Sequence, residues 1–151
     1  DPRAAKRVTD GYGVDTTDQV LEALAQAERS IVAIEQAGRD IRNAELNDRL
    51  RRIAKLARDI LKLLEEDPRD LRRARKFLNV YLDGAQKVTE GYAKTHVRVA
   101  APDLDDNFRR VLVTIEEVLK EQQQKLLETD VTDLDVQIEV LTTQLKREGV
   151  I

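Results

Sequence analysis

The sequence contains no Cys, no Met, no Trp and a single His, His96. Without Cys there is no disulfide, no thiolate nucleophile and no thiolate-bound metal, and one imidazole excludes His-rich zinc or di-iron centres by count. Such usage suits a reducing compartment. Aromatic residues make up only 3%, namely Phe77, Phe108, Tyr12, Tyr81 and Tyr92. Platforms on which bases could stack are therefore scarce, and a net charge of −3 gives no general attraction for nucleic acid, so no nucleic-acid partner is expected. No apolar run approaches the roughly 20 residues that span a bilayer. The missing Met, initiator included, is what a processed chain or a piece of a longer one would have, with any leader or anchor upstream.

What is present is aliphatic and periodic. A chain of 151 residues, 41% hydrophobic, has enough material for one domain with a real core. Residues 1–16 mix Gly, Asp and isolated hydrophobes without a period and are expected to form a tail or tether; residues 17–151 are expected to form a single domain. Leu24, Ala27, Ile31 and Ile34 recur at steps of three and four, predicting a helix over 17–38 with its end near Gly38 and Asn43. Leu46, Leu50, Ile53, Ala57, Ile60 and Leu64 form the seam of a second helix. Asp67-Pro68-Arg69-Asp70 opens a third, because Asp67 can cap and Pro68 suits the first helical position. Its predicted stripe runs through Leu71, Ala74, Leu78, Tyr81, Ala85, Val88, Tyr92, Thr95 and Val99, with Asp83-Gly84 as a point of weakness midway.

Ala101-Pro102-Asp103 opens a fourth helix, whose buried face is read as Leu104, Phe108, Val111, Ile115, Val118 and Leu119. Gln122, Gln123 and Gln124 interrupt it. Thr132 and Asp135 resemble a capping box, predicting a short final helix through Leu134, Ile138, Leu141 and Leu145 that ends near Gly149. No segment alternates with period two. The expected fold is all-α, an antiparallel bundle of four to five long amphipathic helices with coiled-coil-like packing.

The stretch Phe77-Leu78-Asn79-Val80-Tyr81-Leu82, followed by Tyr92, and the run from Asp133 to Leu141 followed by Leu145 and Gly149 resemble the 5-bromo-4-chloroindolyl phosphate hydrolysis protein family, the XpaC-like proteins. That family is linked to proteins of toxic-anion and tellurite resistance. The resemblance implies a bacterial, membrane-associated helical protein, held at the cytoplasmic face of the inner membrane by a segment upstream. It also implies a phosphatase-like phenotype without catalytic residues to carry over.

Read on their own, the residues supply no catalytic set, no cofactor site and no metal site. Asp133 and Asp135 have the spacing of the aspartate nucleophile motif of haloacid-dehalogenase-type phosphatases, but they lack the preceding buried strand, and a helix start explains them better. Asp103, Asp105, Asp106 and Asn107 lack calcium-loop spacing and are likewise read as a helix start. His96 is read as a histidine favoured by a helix C-terminus. The strongest surface signal is basic. Residues 49–76 hold eleven Lys or Arg against five Asp or Glu, whereas residues 77–151 hold nine against fourteen. Arg51, Lys55, Arg58 and Lys62 recur on the face opposite the second seam, and Arg69, Arg72, Arg73 and Lys76 follow. These eight form the candidate partner face, for an anionic lipid surface or an acidic protein. The expected function is a non-enzymatic helical interaction or scaffold module, with a hydrolase of phosphate monoesters as the alternative. Nothing in the sequence fixes the oligomeric state.

Overall fold

The computed structural model describes residues 17–151; the expected tail, residues 1–16, lies outside the described residues, as do the side chains of Thr17, Pro68, Arg72, Arg73 and Lys76. The fold is an all-α bundle of four rods, with no strand among the described residues. Helix α1 is Thr17–Arg39 and α2 is Ala44–Glu66. The third rod is composite: a 3₁₀ turn Pro68–Asp70, α3 Leu71–Lys76, a π-helical stretch Phe77–Leu82 and α4 Asp83–His96. Helix α5, Pro102–Arg147, is 46 residues long.

The boundaries are local chemistry. Asn43 caps α2, its side-chain oxygen accepting from the Leu46 N–H at 3.1 Å. The Asp67 carboxylate accepts from the Arg69 N–H at 3.1 Å, starting the third rod on Pro68. Pro102 begins α5 at a position where its missing N–H costs nothing. Gly149, at φ 73°, ends α5 as the Val150 N–H reaches the Leu145 carbonyl at 3.0 Å, closing a Schellman turn that favours glycine.

Ion pairs record how the rods run. Gly38 of α1 lies against Asn47 and Leu50 of α2, while the earlier Glu28 and Glu35 meet the later Arg58, so these two are antiparallel. Arg109–Glu45 and Arg52–Glu116, both at 2.7 Å, share one sequence offset, so α2 and α5 run parallel. Rods adjacent in sequence alternate in direction, as their short connections require. Helix α2 buries Leu46, Leu50, Ile53, Ala54, Ala57, Ile60, Leu61 and Leu64, two stripes where the sequence predicts one seam, because it packs on both α1 and α5. Each large aliphatic side chain removed from water in this way contributes about 1.5–3 kcal/mol.

Two expectations are corrected. The stripe of the third rod is not an even three-four series. Phe77 and Leu82 are buried while Leu78 and Tyr81 are half-buried and Val80 is exposed. A five-residue step between buried positions is the mark of a π turn, which rotates everything after it and seats Thr89 in the core where Val88 was expected. Nor does a separate helix begin at Thr132. Its hydroxyl donates to the Glu128 carbonyl at 3.0 Å inside α5, so no cap forms and the helix runs through. In α5 the buried positions are Phe108, Leu112, Leu119 and Leu126, with Val111 largely exposed.

The π register gives an expected outcome in thermal or denaturant unfolding. Phe77→Ala should cost about 3–5 kcal/mol and Leu78→Ala clearly less. Equal losses would mean that an ordinary α-helical register holds there.

Candidate functional site

Arg51, Lys55, Arg58 and Lys62 line one face of α2, as their spacing predicts, but most are already engaged. Arg51 pairs with Asp48, and Lys55 with Asp59 at 3.0 Å. Arg58 donates to both carboxylate oxygens of Glu35 at 2.6 Å and to Glu28 at 3.1 Å, forming a clamp between α2 and α1. Those hydrogen bonds hold the Glu35 carboxyl below its ordinary range and push the Arg58 guanidinium up. Lys62 is exposed. Arg69 turns back on Asp67 at 3.0 Å. Arg72, Arg73 and Lys76 continue along the third rod, with side chains outside the described residues.

Four of the cations without a close ion pair among the described residues gather elsewhere. Between the C-terminal ends of α1 and α4 an open cleft of about 770 Å³ is rimmed by Arg39, Arg42, Lys94 and Arg98 over a floor of alanines. None of the four makes a close ion pair among the described residues, although Arg39 acts through space on Glu35, and Asp40 and Glu90 sit at the edge. Two helix C-termini ending side by side favour cations there, which is the local reason for the sequence. Basic residues in the last turns of α1 and α4 were a visible signal, but their convergence needs the knowledge that these two rods lie together.

His96 closes one side of this region and is not free to act as a base. Its Nε2 accepts the Arg42 N–H at 3.2 Å, and its Nδ1 donates to the carbonyls of Tyr92 and Ala93 at 3.0 Å, a neutral tautomer with both nitrogens occupied. The ring stacks on Tyr92, which stacks on Phe108 with centroids 4.1 Å apart. The Tyr92 hydroxyl donates to Asp105 at 2.5 Å; burial first, and then this carboxylate, raise its pKa to about 12. Asp106 pairs with Arg109 at 2.8 Å. The acidic knot at the start of α5 thus locks the α4–α5 turn. Asp133 and Asp135 are exposed in mid-helix, correcting their reading as helix-start residues. A cluster the sequence did not announce, Asp67, Asp70 and Asp130, has oxygens within 4.8 Å of one another at the opposite end of the bundle, close enough to share a cation.

The most unusual surface belongs to α5. The offset that pairs it with α2 sets residue 130 level with the end of α2 at Glu66, and residues 131–141 are all exposed. Leu127, Val131, Leu134, Ile138 and Leu141 are each 46–61% exposed, and with half-buried Leu145 they form one stripe along a rod that overhangs the bundle. Seventeen overhanging residues, 131–147, make about 25 Å of helix. No helix among the described residues is long and apolar enough to cross a membrane.

The family model for the 5-bromo-4-chloroindolyl phosphate hydrolysis proteins matches residues 2–141 of the chain. The chain belongs to this family. Its match spans all four rods and the first part of the overhang, so the π-helical stretch and the stripe as far as Leu141 fall within the family's extent. No curated protein and no solved structure matches the chain.

The Arg58 clamp gives a pH prediction. Glu35 has a lowered pKa when folded, so its contribution to stability is fully present above the ordinary carboxyl value near 4.5 and is lost as pH falls through the lowered one. Because both partners are partly exposed, the contribution is at most about 1 kcal/mol. Glu35→Gln should lower the melting temperature slightly at pH 7 and shrink the loss between pH 5 and 3; an unchanged acid profile would remove the clamp from the account.

Proposed function

We propose that this chain is a non-enzymatic helical interaction module. The observation that carries the proposal is the overhang of α5, a rod whose aliphatic stripe points at solvent while every other rod buries its own. An exposed apolar strip at heptad spacing on a rigid support is a docking element. In line with the family resemblance, the module is proposed to work in a bacterial membrane-associated protein at the cytoplasmic face, contributing to resistance to toxic anions, with coiled-coil pairing as its mode of contact.

The second reading is a hydrolase of phosphate monoesters, favoured by the family description and by the unpaired cations of the α1–α4 cleft, which suit an oxyanion. Against it stands the chemistry of the cleft: His96 has both nitrogens engaged, so the nearby acids Asp40 and Glu90 would have to supply nucleophile and base. The purified chain, given 5-bromo-4-chloroindolyl phosphate with and without Mg²⁺, Mn²⁺ or Zn²⁺, should show no turnover above buffer. Robust turnover abolished by Arg42→Gln with Lys94→Gln would overturn the module reading in favour of the hydrolase.

Anionic lipid remains a proposed contact surface, with an acidic protein as its counterpart. Since Arg51, Lys55 and Arg58 are already paired, the free cations of the cleft and Lys62 are the ones to bear it. The chain should sediment with anionic but not zwitterionic vesicles at low salt, and the binding should fade as salt screens it. Arg39→Gln with Arg98→Gln should weaken it more than Arg51→Gln with Lys55→Gln; indifference to anionic vesicles at low salt would end the lipid proposal.

A further inference from the structure

We propose that the overhang of α5 pairs antiparallel with the same segment of a second copy of this chain, giving a two-fold dimer. This inference rests on the interaction-module reading and names its partner. The first ground is spacing. Leu127, Val131, Leu134, Ile138, Leu141 and Leu145 are separated by steps of four, three, four, three and four, a series that reads the same from either end. An antiparallel copy centred near residue 136 therefore matches Leu127 with Leu145, Val131 with Leu141 and Leu134 with Ile138, six complete layers with no position left over.

The second ground is charge. Glu128, Asp130, Asp133 and Asp135 lie toward the start of the overhang, and Lys146 and Arg147 at its end. Antiparallel pairing brings the basic end of each copy to the acidic start of the other, level with Glu128 and Asp130. Parallel pairing instead sets Asp130 of each copy against Asp135 of the other, a like-charge contact on both sides of the seam. In the antiparallel arrangement only Asp135 meets its own counterpart, next to the axis.

The third ground is area and preorganisation. Five aliphatic side chains with roughly 100 Å² each to lose, and half-buried Leu145 with less, from two copies give about 1,100 Å², near the lower bound of a specific interface. The rod is rooted in the bundle, so its helix is already nucleated when the partner arrives. Its composition nevertheless suits a covered helix. Val131, Thr132, Val136, Ile138, Val140, Thr142 and Thr143 are β-branched and contribute poorly to an isolated helix in water.

The test is sedimentation of the full chain across a wide concentration range, with helicity followed in parallel. Wild type should pass from monomer to dimer and gain helicity as it does. Leu134→Glu should shift that midpoint by about tenfold or more while leaving the melting of the bundle unchanged, and Asp135→Asn should shift it the other way. Because the chain lacks Cys, orientation can be trapped on a clean background. A Leu127→Cys copy mixed with a Leu145→Cys copy should form a mixed disulfide, and neither should link to itself, since 18 residues of helix separate like positions by about 27 Å. Self-linked products from each variant alone would overturn the antiparallel arrangement. A chain that stays monomeric at every concentration would overturn the second copy as partner; the module reading itself falls only if phosphatase turnover is found.

Discussion

The packing of α2 is the constraint from which the rest of the molecule follows. One helix with eight buried residues touches both α1 and α5, so it cannot present a single stripe; it must be apolar over a wide arc. The clamp of Arg58 on Glu28 and Glu35 fixes its height against α1, and the pairs of Arg52 and Arg109 fix α5 against it. Since α5 is twice the length of α2 and is pinned near its own start, the excess length must emerge at the other end. The overhang is thus a consequence of register, set by ion pairs roughly 45 to 55 Å of helix away from its tip.

Much of the fold was legible because helix ends are written in a few adjacent residues. Asp67-Pro68, Ala101-Pro102 and Gly149 each stop or start a helix by contacts within a turn where the sequence indicated, while Asn43, read as marking the end of α1, instead caps the start of α2. Two features escaped. Thr132 with Asp135 has the composition of a cap, yet a threonine hydroxyl can equally bond the carbonyl four residues back, and only the conformation decides between them. The π-helical stretch is invisible to a periodicity of three and four, because it replaces that period for one turn.

The candidate site was legible only as composition. Arg51, Lys55, Arg58 and Lys62 do share a face, but what matters for an incoming anion is how many carboxylates reach that face from elsewhere. Glu35 is 23 residues away from Arg58 and Glu28 is 30. Conversely, Arg39, Arg42, Lys94 and Arg98 look scattered in the sequence and converge only because α1 and α4 end together. Periodicity within a helix reports which residues share a side, whereas charge balance depends on neighbours from other rods. The same reasoning applies to the C-terminal stripe, whose a and d positions were plain while its lack of a cover was not.

The π-helical stretch Phe77–Leu82 also bears on how such a chain can change through time. A π turn houses one residue more than the helix on either side of it, and the surplus is taken up within a single turn while both flanks keep their facing toward the core. Insertions and deletions are normally confined to loops, where no packing depends on register. Here a codon could be gained or lost in the middle of a rod with Leu71 and Ala74 on one side and Ala85 and Tyr92 on the other still buried. The helical core of this chain therefore has a place to absorb a change in length that is not a loop at all.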